Sequence, residues 1–181
     1  MSILTKNEII RAVNHGEIEI EPFDVANVQP NSYDVHLGDK MMIVAPNCFI
    51  NGLAVYDLKL EPKFQSIEMG KYGEFCLMAN QLYLGVTKER TFTPKHVPYI
   101  DGKSSIGRCG VSIHVTAGRG DVGFNGYWTL EIICAMNTIL YAGQPIGQIT
   151  FHEVSGEVES YNGNYQKQMA EPVPSKIYKK L

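Results

Sequence analysis

Apolar and polar residues alternate along much of this chain with the two-residue period of β-strands. The alternation shows in Glu17-Ile18-Glu19-Ile20 and at Tyr33, Val35 and Leu37 of SYDVHLG. Further strand-like runs are MMIVA, EFCLMA, LYLGVT, VSIHVT, YWTLEIICAM and IGQITFHEV. Between them stand APNCFINGL, TPKHVP, AGRGDVGFNG and LYAGQP, whose Gly, Pro, Asn and Asp residues mark turns. Only the start reads as helix. There Thr5 and Glu8 form a T-x-x-E capping box, Ile9, Ile10 and Val13 make an apolar stripe, and Gly16 is a suitable stop. Many short strands at this spacing predict an all-β barrel or jelly-roll-like sandwich behind one short N-terminal helix. The end, SYNGNYQKQMAEPVPSKIYKKL, is polar and broken by prolines. It reads as a tail, yet it carries Tyr161, Tyr165 and Tyr178, more aromatic residues than a solvated tail usually holds.

Composition narrows the function classes. At 181 residues the chain is expected to form a single domain, 1–181, with a real core. The net charge of −3 argues against a nucleic-acid coat or a membrane-surface role, while leaving room for a small anionic ligand. No apolar run approaches membrane-span length and MSILTKNEIIRAV lacks the marks of a secretory signal, so a cytoplasmic protein is expected. Cys48, Cys76, Cys109 and Cys134 are widely spaced with no C-x-x-C pair, which predicts buried reduced thiols rather than disulfides or zinc.

Candidate chemistry gathers between Asp101 and Glu131. In a strand, Thr129 and Glu131 face one way while Trp128, Leu130 and Ile132 face the other. One face is core, and the other presents a hydroxyl and a carboxylate to a cleft. A partly desolvated carboxylate is suited to taking up and returning protons near neutral pH, whereas an ordinary strand glutamate simply faces solvent. Upstream, Lys103-Ser104-Ser105-Ile106-Gly107-Arg108 sets two hydroxyls, a glycine and two cations within one turn, a composition that can hold phosphate oxygens. It lacks the spacing of a Walker A loop. In Thr116-Ala117-Gly118-Arg119-Gly120-Asp121-Val122-Gly123-Phe124 and on to Gly126, the glycines permit tight turns and close approach of a flat ligand.

Taken together, S-S-x-x-R-x-G, H-x-T-A-G and D-x-G-F-x-G-x-x-T-L-E closely resemble the dCTP deaminase branch of the trimeric dUTPase superfamily. Gln29-Pro30-Asn31-Ser32-Tyr33-Asp34-Val35-His36-Leu37-Gly38, Ile146-Gly147-Gln148-Ile149 and Tyr161-Asn162-Gly163-Asn164-Tyr165-Gln166-Lys167-Gln168 resemble further segments of that family, in the right order. The resemblance implies a distorted dUTPase-like β-barrel or jelly-roll, a homotrimer with active sites between subunits, and a tail, 159–181, that closes over the site. It implies dCTP or dUTP as ligand, dTTP as an inhibitor, Mg²⁺ on the phosphates, and deamination at cytosine C4 without zinc. On that pattern Glu131 shuttles protons, while Ser104, Arg108 and the Ala117 carbonyl position the water and leaving group. Lys103, Ser105 and Arg108 meet phosphates, Thr129 and Leu130 flank the base, and Asp121 lies toward the sugar. Tyr161, Asn164 and Gln168 belong to the tail.

The P-C-x-x-C half of the zinc-deaminase pattern is absent, so another means of activating water is required, and a buried carboxylate beside hydroxyl and guanidinium groups can supply it. Four positions depart from the family pattern. Lys103 replaces an arginine, Gly120 and Val122 suggest a more flexible hairpin, and Asn164 stands where the tail usually has lysine. The leading expectation is a dCTP deaminase releasing dUTP and ammonia. A bifunctional enzyme continuing to dUMP and pyrophosphate is its nearest rival. A plain dUTPase using Asp121, or an inactive nucleotide-binding homologue, is less favoured.

Overall fold

The computed structural model describes residues 2–181. In chain order the elements are α1 (Lys6–Asn14), β1 (Glu19–Glu21), β2 (Tyr33–Ala45), β3 (Cys48–Ile50), β4 (Leu53–Val55), β5 (Lys63–Ile67), β6 (Glu74–Leu77), β7 (Tyr83–Phe92), β8 (His96–Gly102), α2 (Ser104–Gly107), β9 (Val111–Ser112), β10 (Asn125–Cys134), β11 (Thr138–Tyr141) and β12 (Pro145–Glu153). The main sheet runs β8-β12-β2-β7-β10-β9, with β1 beside β7 and β5 beside β2. Its strand pairs are antiparallel, and β11-β6 and β3-β4 form two small ribbons. The all-β, barrel-like architecture expected from the alternation is therefore present.

The core lies where the inward faces of these strands converge. Tyr33, Val35 and Leu37 of β2 meet Leu130 and Ile132 of β10 and Ile149 and Phe151 of β12, all fully or almost fully buried. Alternation explains β10 in full: its burial is half-buried, then buried, at every step from Asn125 to Cys134. Helix α1 adds Ile9 and Ala12 to the same core, and the chain turns after it through Gly16, whose φ of +68° suits glycine.

Several local expectations change. SYDVHLG and MMIVA are one strand, β2, rather than two. VSIHVT supplies only the two-residue β9, because the chain then leaves the sheet. Thr5 makes no side-chain cap, and Glu8 pairs with Arg11 at 2.7 Å instead. All four cysteines are free, but only Cys134 is buried, with Cys76 and Cys109 exposed. Among the described residues, no helix is long and apolar enough to cross a membrane.

Candidate active site

A cavity of about 680 Å³ opens on the half-buried face of β10. That volume is within the usual range for a small-molecule site. Glu131 and Thr129 line its floor from β10, Ala117 and Asp121 come from the loop that leads into β10, and Tyr161 and Gln168 enter from the C-terminal segment. The strand geometry makes this possible: with Leu130 and Ile132 committed to the core, Thr129 and Glu131 must face the hollow.

The Glu131 carboxylate is held from behind. Val115 N–H donates to Glu131 Oε2 at 2.8 Å, and the Glu131 amide donates to the Ile113 carbonyl at 2.8 Å. Beside it, Thr129 Oγ1 accepts Gln168 Nε2–H at 2.7 Å and Val173 N–H at 2.9 Å. On the core side, β10 carries a bulge between Tyr127 and Thr129. The Trp128 amide freed there donates to Thr87 Oγ1 at 2.9 Å, and the indole Nε1–H donates to Thr91 Oγ1 at 2.8 Å. Both arms of Trp128 are thus satisfied, which fixes the strand under the cavity. At the cavity edge, burial pushes the Tyr56 phenol up from its ordinary value.

The C-terminal segment is not a free tail. Tyr161 packs on Phe124 with ring centroids 6.2 Å apart, and Gln168 is buried. The Gln166 side chain donates to the Gly123 and Tyr161 carbonyls and accepts the Asn125 amide, each at 2.8 Å. Asn164 is exposed, but its carbonyl accepts from Lys176 Nζ at 2.7 Å. The ammonium also lies 5.4 Å from the centre of the Tyr165 ring, so a cation does stand at this point of the segment.

Residues of the Lys103–Arg108 turn are elsewhere. Ser104, Ser105 and Arg108 are exposed on and beside α2, and none of them lines the cavity. Lys103 Nζ is engaged by the buried Asp34 carboxylate at 2.5 Å, which also accepts from Gln29 Nε2 at 3.0 Å. The Leu130 side chain belongs to the core and does not reach the hollow. His114 pairs with Asp101 at 3.3 Å through Nε2, and its buried Nδ1 has no protein partner among the described residues. Gly120, expected to loosen the hairpin, is packed tightly: a Cβ there would stand 2.4 Å from the Trp128 ring.

Sequence reasoning missed four contributors: the Val115 amide, Gln166, Val173 and the Lys176 ammonium. A backbone donor leaves no mark in a sequence, and the other three act through tertiary docking of a segment without periodicity. Among the described residues, no three His, Cys, Asp or Glu side chains are grouped to hold a metal ion.

Residues 3–154 match the dCTP deaminase-like family model. The chain is 43% identical over 164 residues to the "dCTP deaminase, dUMP-forming" of Clostridium acetobutylicum, covering 90% of each protein. It is 39% identical over 178 residues to the protein of the same description from Clostridium beijerinckii, covering 98% of this chain and 97% of that one. Among solved structures, the 2′-deoxycytidine 5′-triphosphate deaminase of Agrobacterium tumefaciens superposes with a TM-score of 0.61 at 20% identity. That match covers 84% of this chain and 48% of the longer one, and it speaks for the fold. The protein is a barrel of the dUTPase-like class. Within that class, the chain belongs to the dCTP deaminase-like family.

These relatives also correct one expectation. Those at 39–43% identity are described as dUMP-forming, which overturns the expectation that the reaction stops at dUTP.

Proposed function

We propose that this protein is a bifunctional dCTP deaminase that converts dCTP to dUMP, ammonia and pyrophosphate. The observation that carries this reading is Glu131: a carboxylate on the cavity face of β10, anchored by the Val115 amide, in a chain so similar to dUMP-forming relatives. In the first step Glu131 takes a proton from water as the oxygen attacks cytosine C4. It then returns protons to N3 and to the departing amine, so that dCTP and water give dUTP and ammonia. In the second step another water cleaves the bond between the α- and β-phosphates, giving dUMP and pyrophosphate. The Val115 N–H keeps the carboxylate aimed at the base while it gains and loses a proton.

Ser104, Ser105 and Arg108 enter this reading from a neighbouring copy. They are exposed in one chain and lie outside its Glu131 cavity, which supports a homotrimer whose sites form between subunits. There the Arg108 guanidinium and the two hydroxyls meet phosphate oxygens and the attacking water. Asp121 faces the sugar, and the Ala117 carbonyl accepts from the amine or the water. Mg²⁺ supplies charge neutralisation on the phosphates when the nucleotide is bound.

The test is product balance. Given dCTP and Mg²⁺, the protein should release ammonia and pyrophosphate in equal amounts, with dUMP and no accumulating dUTP. Accumulating dUTP overturns the second step, and absence of ammonia overturns the first.

A further inference from the structure

None of the residues Gln29–Gly38 lines the Glu131 cavity. The stretch nevertheless holds a buried carboxylate, Asp34, and that carboxylate engages the residue that opens the α2 turn. Asp34 Oδ2 accepts Lys103 Nζ–H at 2.5 Å and Gln29 Nε2–H at 3.0 Å. Its other oxygen, Oδ1, is buried and has no partner among the described residues. Lys103 is thus the cation that balances this carboxylate, and a buried charge holds its one counter-ion firmly.

Lys103 is also where the turn begins. Its backbone is extended, with φ of −80° and ψ of 138°, and its carbonyl accepts the Ile106 amide at 3.0 Å and the Gly107 amide at 2.9 Å. No residue of α2 is itself buried. The turn is held at its far end by Ile106, which leans on the core, and by the Gly110 carbonyl, which accepts the Ala135 amide at 2.8 Å. At its near end the side-chain anchor is the Lys103–Asp34 pair, so the exposed Ser104, Ser105 and Arg108 take their place from it.

We propose that Asp34 is a positioning residue for the reaction in a neighbouring subunit. Acting through Lys103, it fixes the α2 turn and thereby sets Ser104, Ser105 and Arg108 against that subunit's Glu131. Gln29 donates to the same oxygen and keeps the carboxylate turned toward the lysine. Small displacements of such groups are costly in rate, because a polar group must meet the reacting atoms in a narrow range of geometry. The proposal rests on the reading of an inter-subunit deaminase site under Proposed function.

The first experiment follows ammonia release from dCTP and Mg²⁺ by full-length wild type, Asp34→Asn, Lys103→Ala and the double variant. Asparagine keeps the size of the side chain and an oxygen for Gln29, but it gives up the charge that holds the lysine. In Asp34→Asn, kcat/KM should fall about tenfold, the scale of one lost hydrogen bond to a charged group. Because Asp34 acts through Lys103, the double variant should lose no more than Lys103→Ala alone. The double variant strands neither charge, so its activity loss should persist even where its stability recovers. Wild-type kcat/KM in Asp34→Asn, or losses that multiply in the double variant, overturns the proposal.

The second experiment asks which subunit Asp34 serves. Glu131→Gln and the double variant are co-expressed with different tags, and trimers carrying both tags are isolated. In any such trimer one interface in three joins an intact Glu131 to an intact α2 turn, so activity should stand at roughly a third of wild type, above both parents. Activity no higher than the mean of the parents places Asp34 with its own chain's Glu131 and overturns the proposal. Mixed trimers of Glu131→Gln with Arg108→Ala test the shared site itself. Recovery there without recovery by the double variant refutes the role of Asp34 alone, whereas recovery in neither refutes the inter-subunit reading and the proposal with it.

Discussion

Gly120 lies against the ring of Trp128 so closely that a Cβ at position 120 would stand 2.4 Å from Cη2. The same Cβ would come within 2.9 Å of Pro98 Cγ, and the Gly120 amide is tied to the Pro98 carbonyl at 2.9 Å. The hairpin that carries Ala117 and Asp121 is therefore wedged onto the core side of β10. Gly120→Ala should cost about 1–3 kcal/mol, the usual range for overpacking a full site. Chemical denaturation checks the stability. Because Trp128 lies between Tyr127 and Thr129 on β10, nucleotide affinity should fall with it.

Lys103 and Asp34 form a largely buried ion pair at 2.5 Å, with their side chains 23% and 9% exposed. Removing one partner strands the other charge out of water. Lys103→Ala should destabilise the fold by about 3 kcal/mol, at the low end for buried pairs because the lysine keeps some contact with solvent. Lys103→Ala with Asp34→Asn should recover much of that loss, a pattern a double-mutant cycle measures directly.

His152 gives the fold an acid limb. Burial, with the nearby Arg119 charge adding to it, holds its imidazole below the ordinary value of 6.5. Its Nε2 bonds Thr150 Oγ1 at 3.0 Å, while the buried Nδ1 has no protein partner among the described residues. The unfolded chain thus takes up the proton first as pH falls. Stability should be complete above 6.5 and decline as pH drops below it through the folded-state value. Denaturation midpoints across this window should show a shallower decline in His152→Gln.

Metal dependence should separate substrate-borne Mg²⁺ from a protein-held transition metal. EDTA should abolish turnover and added Mg²⁺ should restore it, whereas a zinc-selective chelator should leave the rate unchanged. Inhibition by the zinc chelator that Zn²⁺ reverses would contradict the general-acid–base reading.

Much of the β10 site was legible because a half-buried strand writes its two faces into alternate residues. The pattern Trp128, Leu130 and Ile132 against Thr129 and Glu131 is the observed one. The segment beyond β12 was not legible in the same way. Gln166, Gln168 and Val173 dock through hydrogen bonds to residues about 40 positions away, as with Gln168 and Thr129 at a separation of 39. No local period records such contacts. The same holds for Lys103, whose partner Asp34 is 69 residues earlier. Glycine was misleading at Gly120, since it serves close packing there rather than freedom.

One carboxylate carries the proposed chemistry, and one substitution tests it most directly. Glu131→Gln keeps the size of the side chain and an oxygen to accept the Val115 N–H, but it cannot carry a proton between water and the base. Ammonia release from dCTP by this variant should fall roughly a thousandfold, within the range for losing a general acid–base group. Binding of α,β-imido-dUTP should stay within about threefold of wild type, because no fold contact is lost. Ammonia release at the wild-type rate would remove Glu131 from the chemistry and contradict the mechanism.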